Sequence, residues 1–355
     1  MPLDHYETLG RSGLRVSPFA LGAMTFGEDP GAAGCSVEES EKILRTYLDR
    51  GGNFIDTANF YTNGHSERIL GDFFATHGNR DRVVLASKFF GNMHPGDPNG
   101  GGAGRKAIRD QLHETLRRMR TDYLDLYWMH NWDRNTPIEE TLKTLDELVG
   151  SGKVRYIGFS NTPAWVTAQA QTMALLNRWT PLIALQVEYS LLARTVEGEI
   201  APMATDMGMA LVPWSPLKNG FLSGKYRRNV QVSDSERAKF VGGPTEDEFK
   251  VIDVVNEIAA NLNTTAAAVS LAWLKAKKTV PIIGARRLEH LESNLEEVTL
   301  TSEQVQALND ISVPDLNYPA PLHGATRAML QFAGTTVDGE ASTVYPSLLQ
   351  SSVRY

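Results

Sequence analysis

The sequence predicts an α/β protein: a closed (β/α)8 TIM barrel with an N-terminal β-hairpin and a long C-terminal tail. Three observations predict it. Between residues 16 and 285, eight short apolar runs alternate with longer segments of helical spacing. The runs are nearly continuous in Val, Ile, Leu and aromatic residues, as strands of a parallel sheet covered on both faces must be. No break in composition divides the alternation, and the first run lacks the GxGxxG turn of a doubly wound dinucleotide-binding sheet.

Taken in order, residues 1–15 carry turn-like Gly10 to Gly13 and fit a hairpin closing the bottom of the barrel. The eight strand candidates are VSPFALGAM, NFIDTAN, VVLASKFF, YLDLYWMH, VRYIGFSN, LIALQVEYS, MALVPWSP and KTVPIIGA. Between the first two, Ser36 and Glu39 have the spacing of a capping box, and Ile43, Leu44, Tyr47 and Leu48 share one helical face. After the fourth, Thr136, Pro137 and Glu139 give a second such start, followed by Leu142, Leu145, Leu148 and Val149. Residues 91–104, GNMHPGDPNGGGAG, form a long loop after the third strand, at the barrel end where loops shape sites. The barrel unit is expected over residues 1–315. Residues 316–355 then form a C-terminal extension without clear period, open to a role as lid, subunit contact in a homo-oligomer, or partly disordered segment.

With 355 residues, 42% of them hydrophobic, the chain can bury a large core. A net charge of -7 without a basic cluster argues against nucleic acid or an anionic membrane as partner, which favours a small molecule. No apolar stretch reaches membrane-spanning length and the N-terminus lacks a secretory pattern, so a cytoplasmic location is expected. A single cysteine, Cys35, allows neither an internal disulfide nor a sulfur metal site. His65, His94, His113 and His290 show no HExxH or paired spacing, so no metal is expected. GGGAGRK at 100–106 fails the Walker pattern because Ala107 follows Lys106.

Four polar residues end or follow strand candidates: Asp56, Tyr61, Lys88 and His130. Each has a structural reading by itself, as helix cap, half-buried aromatic, ion-pair partner or core histidine. Together they make a proton-transfer set, since burying a lysine and an aspartate in a barrel without use would cost desolvation. A lysine held by a carboxylate favours a neighbouring phenolate. An imidazole beside it can orient a carbonyl oxygen. No side chain supplies a hydride, so a nicotinamide cofactor is implied. A glycosidase using two carboxylates such as Asp56 and Glu188 would need no dinucleotide. Aromatic side chains beside the set, Phe89, Trp128 and Trp132, with Met24, are candidate walls of a substrate pocket.

GGNFIDTANFYTNGHSERILG, VVLASK, YLDLYWMH, GKVRYIGFSN, LQVEYSLL, PWSPLKNGFLSGKY and PIIGARRLEHLESNL resemble the successive signature blocks of the aldo-keto reductases, closest to the bacterial and potassium-channel-β-subunit-like branches. The resemblance runs from about Tyr6 to Val313. It implies an NADPH-dependent oxidoreductase reducing a small-molecule aldehyde or ketone, with Tyr61 as general acid, Lys88 and Asp56 easing proton release, and His130 fixing the substrate oxygen. A regulatory cofactor-binding protein with little turnover is the alternative. In related steroid double-bond reductases a glutamate replaces this histidine, so His130 favours carbonyl reduction. By the same resemblance Ser160, Asn161 and Gln186 would hold the nicotinamide carboxamide, and Trp214 would pack on its ring. Ser215, Pro216, Leu217, Gly220, Leu222, Gly224 and Lys225 look like the loop over the pyrophosphate. Gly284, Ala285, Arg286, His290 and Asn294 resemble the segment that meets the 2'-phosphate of NADP, with His290 where many relatives carry glutamine.

Overall fold

All eight predicted runs form parallel strands in a computed structural model, which describes residues 2–28, 34–228, 242–350 and 352. After the hairpin strands β1 (Glu7–Thr8) and β2 (Arg15–Val16) come β3 (Ala20–Gly22), β4 (Phe54–Asp56), β5 (Val84–Phe89) and β6 (Leu124–Met129). β7 (Val154–Ser160), β8 (Leu182–Glu188), β9 (Ala210–Trp214) and β10 (Ile282–Gly284) complete the sheet. Their spatial order is β10-β3-β4-β5-β6-β7-β8-β9. Val280 N–H donates to Leu211 C=O at 3.0 Å across the remaining seam, so the sheet curls into a nearly closed (β/α)8 barrel.

Alternation along each strand sorts the chemistry. Phe54, Val84, Ala86, Leu126, Trp128, Ala184, Val212 and Ile282 pack together inside the barrel. Their neighbours Ile55, Leu85, Phe89, Tyr127, Met129 and Phe159 belong to the larger core shared with the helices. Asp56, Lys88, His130, Ser160 and Gln186 each follow an inward residue by two, which directs them into the barrel at the C-terminal strand ends.

The hairpin closes the opposite end, where Leu9 and Val16 join the interior cluster. Its turn needs a glycine: Gly10 has φ +60°, and a Cβ there would stand 2.1 Å from Ile183 O. Gly10→Ala is therefore expected to lower the thermal midpoint, with backbone strain alone costing about 1–3 kcal/mol. Calorimetry checks it.

Helices α1 (Val37–Asp49), α2 (His65–His77), α3 (Arg105–Met119), α4 (Ile138–Gly150), α5 (Ala164–Asn177) and α6 (Ile200–Asp206) follow in turn. α7 (Glu246–Asn261), α8 (Ala266–Ala276), α9 (Leu288–Asn294) and α10 (Ser302–Ile311) complete the outer layer. The predicted capping boxes are corrected. Ser36 Oγ does accept from Glu39 N at 3.2 Å, but the Glu39 carboxylate turns away to accept from Leu288 N at 2.7 Å. Thr136 Oγ1 donates to Asp133 Oδ2 at 2.7 Å, and α4 starts after Pro137 without a side-chain cap. Complete boxes stand instead at Thr245/Glu248 and Thr301/Gln304.

The tail is fastened where it leaves the barrel. Buried Arg194, in the segment after β8, donates to Asn309 O, Ser312 O and Ser312 Oγ at 2.8–3.0 Å. Beyond it, Ala325–Phe332 is helical and Thr336–Val337 pairs with Glu340–Ala341, with most apolar side chains exposed. Among the described residues no helix is long and apolar enough to cross a membrane.

Candidate active site

Lys88 is the centre of the site. Its ammonium, wholly buried, forms a short charge-assisted contact with Asp56 Oδ2 and donates to Thr57 O at 2.8 Å and to Tyr61 OH at 3.2 Å. Three acceptors use all three ammonium protons. Burial alone would depress the Lys88 pKa, but Asp56 and Tyr61 outweigh it and hold the pKa above its ordinary value. The lysine stays charged.

Tyr61 follows β4 on a single 3-10 turn, Tyr61–Gly64, in which Thr62 and Asn63 take left-handed φ of 44° and 53°. Thr62 Oγ1 donates to Phe26 O at 2.7 Å, which fastens this turn to the segment after β3. Burial raises the Tyr61 pKa, while the charge and hydrogen bond of Lys88 oppose the rise. The phenol therefore carries its proton throughout the neutral range. Lys88 favours the phenolate, as expected, and burial is the larger of the two effects.

His130 ends β6 and its ring lies edge-on to Tyr61, with centroids 5.9 Å apart. Burial first, and the Lys88 charge second, push its pKa down to about 3. The imidazole is neutral at any working pH. Its Nδ1 is buried without a hydrogen-bond partner among the described residues, which leaves Nε2 as the nitrogen for a proton and a substrate oxygen. Two pH effects are expected. In the unfolded chain His130 titrates near ~6.5, so its contribution to stability is complete above that value and is lost as pH falls toward 3. The pH profile of kcat/KM, which reports groups of the free protein, should be flat from about pH 5 to 9, since neither His130 nor Tyr61 changes charge there.

The carboxamide candidates sit at neighbouring strand ends. Ser160 Oγ is buried without a partner among the described residues. Asn161, in the left-handed region with φ 48°, donates through Nδ2 to His130 O and accepts at Oδ1 from Trp214 Nε1, both at 3.0 Å. Gln186 Nε2 donates to Asp56 Oδ1 at 3.0 Å, which completes the shell of the buried carboxylate.

The next loop is built on left-handed residues, Ser215 (φ 52°), Lys218 (45°), Asn219 (56°), Gly220 (94°) and Gly224 (84°). Ser215 Oγ accepts from Asn219 N at 3.1 Å, and Leu217 O accepts from Gly220 N and Leu222 N at 2.9 and 3.2 Å. Pro216 and Leu222 are buried, so these two offer backbone rather than side-chain contact. Lys218 Nζ meets Glu188 Oε1 at 2.7 Å, which commits the second glycosidase candidate to an ion pair.

After β10, Ala285 is buried and its C=O accepts from Thr25 Oγ1 at 2.8 Å, while Asn294 Nδ2 donates to Gly284 O at 3.2 Å. Asn294 thus shapes this turn. Lys225, Arg286 and Arg287 make no ion pair among the described residues, and all three lower the pKa of His290. Cations without an ion pair among the described residues, with the Ser160 hydroxyl and amide groups at the other end, fit a dinucleotide phosphate and a neutral carboxamide.

Two of the four pocket candidates are corrected. Phe89 points outward and packs on Tyr127 at 4.9 Å, and Trp128 is wholly buried in the barrel interior over Gly158. Met24 is 44% exposed, and Trp132 meets Trp165 edge to face at 5.5 Å. Sequence reasoning missed Trp165, 63% exposed, and Phe60, 42% exposed. Phe60 stacks on His130 with centroids 5.2 Å apart and meets Tyr61 edge-on at 5.3 Å. Its place depends on Gly91, where a Cβ would come within 2.3 Å of the Phe60 ring. The available signal was an exposed-type aromatic immediately before the tyrosine.

A model of the aldo/keto reductase family matches residues 18–313. An NADP(+) aryl-alcohol dehydrogenase of Phanerodontia chrysosporium is 34% identical over 348 residues, covering 90% of this chain and 89% of its own. Norsolorinic acid reductase of Aspergillus flavus is 35% identical over 330 residues, covering 89% and 83%. An uncharacterized oxidoreductase, YrpG, of Bacillus subtilis is 38% identical over 321 residues, covering 86% and 95%. These relatives and the family support an oxidoreductase that works between carbonyls and alcohols. With the family's model matched across the whole barrel, the chain belongs to the aldo/keto reductases.

Proposed function

We propose that the protein is an NADPH-dependent carbonyl reductase with Tyr61 as general acid. One observation carries the reading: Lys88, locked by Asp56, donates directly to the Tyr61 hydroxyl, so a proton leaving Tyr61 would develop negative charge 3.2 Å from a buried ammonium. A nicotinamide, when bound, supplies the hydride. Tyr61 gives its proton to the carbonyl oxygen as the alkoxide forms, and the preorganised Lys88 stabilises the phenolate left behind. Neutral His130 donates from Nε2 to the same oxygen and fixes its angle. Ser160 and Asn161 suit the carboxamide, and Arg286, which makes no ion pair among the described residues, suits a 2'-phosphate, which supports NADPH over NADH.

The substrate class follows from the mouth. Met24, Phe60, Trp132 and Trp165 give apolar, mostly aromatic side chains, with the Arg134 guanidinium 5.9 Å from the Trp132 ring, which suits a bulky, weakly charged aryl aldehyde or ketone. Relatives named for aryl alcohols and norsolorinic acid accord with this. The test is NADPH oxidation, followed by absorbance, with aryl and short aliphatic aldehydes. Aryl turnover well above aliphatic supports the reading; tight NADPH binding with no turnover of either would overturn it. Phe60→Ala is expected to raise KM for an aryl aldehyde about three- to tenfold, the worth of one aromatic contact, while an aliphatic aldehyde changes little. Equal effects on both would remove Phe60 from the pocket.

A further inference from the structure

Two consecutive residues at the start of α2 fasten the turn that carries Tyr61 to the strands on either side of it. Ser66 Oγ, buried, donates to Ala23 O and shares a hydrogen bond with Thr57 Oγ1, each at 2.7 Å. Thr57 O is in turn an acceptor of the Lys88 ammonium. Glu67, wholly buried, accepts from Ser87 Oγ at Oε1 and from Arg118 Nε at Oε2, both at 2.6 Å. Ser87 is the residue before Lys88 in β5, and strand alternation turns it outward toward the helices as it turns Lys88 inward. Arg118, in the last turn of α3, has a side chain only 10% exposed. It lies against Gly64, which ends the Tyr61 turn with φ +77°: a Cβ there would stand 3.0 Å from Arg118 Cδ and 3.2 Å from its Nε.

We propose that Glu67 and Arg118 are positioning residues: their ion pair, tied through Ser87 to β5, holds the Tyr61 turn against the strand of Lys88 and so sets the place of the phenol. The inference rests on the reading of Tyr61 as the acid. Stability does not account for the pair, since apolar residues of similar volume commonly serve a buried position as well. What the pair adds is direction. One carboxylate oxygen grips the strand that carries Lys88, and the other grips the guanidinium on which Gly64 rests, so a shift of α2 has to break one of two charge-assisted bonds. The turn needs such a clamp, because Thr62 and Asn63 both take left-handed φ, a conformation that persists only where the surroundings over-determine it. Proton transfer is sensitive to the outcome, as a displacement of about 1 Å at a reacting group costs about 10²-fold in rate. Glu67 and Arg118 act through Tyr61 and exchange no proton with the substrate.

Two changes test the clamp without stranding a buried charge. Ser87→Ala removes one hydrogen bond, and Glu67→Gln combined with Arg118→Met removes both charges at once. Each is made in the wild-type chain and in a Tyr61→Phe background, and single-turnover NADPH oxidation with an aryl aldehyde is followed beside NADPH affinity and crystal structures. In the wild-type background the neutral pair is expected to slow the single-turnover rate about 10- to 100-fold and Ser87→Ala about three- to tenfold. NADPH affinity should stay within about twofold, and the crystals should show the Tyr61 hydroxyl displaced from Lys88 Nζ. With Tyr61→Phe already in place, the same changes should alter the residual rate by less than about twofold, because the group they position is gone. Equal losses in both backgrounds would assign the pair to the fold at large and overturn the proposal. So would folded variants whose rate and Tyr61 hydroxyl are both unmoved. A wild-type protein that binds NADPH but turns over no carbonyl would remove the reductase reading, and the crystal structures then decide the positioning by themselves: a displaced hydroxyl upholds it, and an unmoved one ends it.

Discussion

Tyr61→Phe is expected to lower kcat for aldehyde reduction by about 10²–10⁴-fold, the usual contribution of a positioned general acid, with folding and NADPH affinity retained. The substitution removes a single oxygen. Phenylalanine keeps the ring that Phe60 and His130 pack against, at 5.3 and 5.9 Å, so the walls of the site should hold their places. Lys88 would lose one of its three acceptors and keep Asp56 and Thr57 O, which is enough to remain charged and ordered. NADPH binding, measured by fluorescence, and thermal midpoint should both sit close to wild type. A variant that loses turnover only because it no longer binds NADPH would leave Tyr61 without its role as acid. Retained turnover would shift the acid to His130, which the depressed pKa makes a poor proton source.

Much of this site could be read before any coordinates because strand alternation is a strict geometric rule. Once NFID, VVLASK and YLDLYWMH are strands of one closed sheet, Asp56, Lys88 and His130 have the same inward parity as Phe54, Ala86 and Trp128. The same rule, applied more carefully, would have turned Phe89 outward, since it neighbours inward Lys88. It would also have put Trp128 inside, two residues below the mouth. The loops were less legible. Phe60 lies over His130 because Thr62 and Asn63 adopt left-handed φ and Gly91 leaves the space, and no periodicity encodes such a combination. Trp165 begins α5, where its exposure depends on how the loop after β7 leaves the barrel. The capping sites failed for a related reason. Glu39 has the spacing for a local box, but a residue 249 positions away offers its carboxylate a free N–H, and the tertiary partner wins.

Removing the lysine should have the largest combined effect. Lys88→Met is expected to cost about 3–5 kcal/mol in stability, the typical penalty for stranding one member of a buried ion pair, and to abolish measurable turnover. Asp56 is nearly inaccessible, and without Lys88 the donor it keeps is Gln186 Nε2 at 3.0 Å. Tyr61 loses the ammonium that opposes its desolvation, so its phenol becomes harder to ionise. Stability and activity then separate in the double variant. Asp56→Asn with Lys88→Met removes both charges, and an amide at 56 can still accept from Gln186, so most of the lost stability should return. Turnover should not, because nothing remains to stabilise the phenolate. Denaturant unfolding and steady-state rates on the two single variants and the double complete the cycle. A double variant as unstable as Lys88→Met would mean that the pair's packing, rather than the unbalanced Asp56 charge, sets the cost. A double variant with restored turnover would separate catalysis from the Lys88 ammonium altogether.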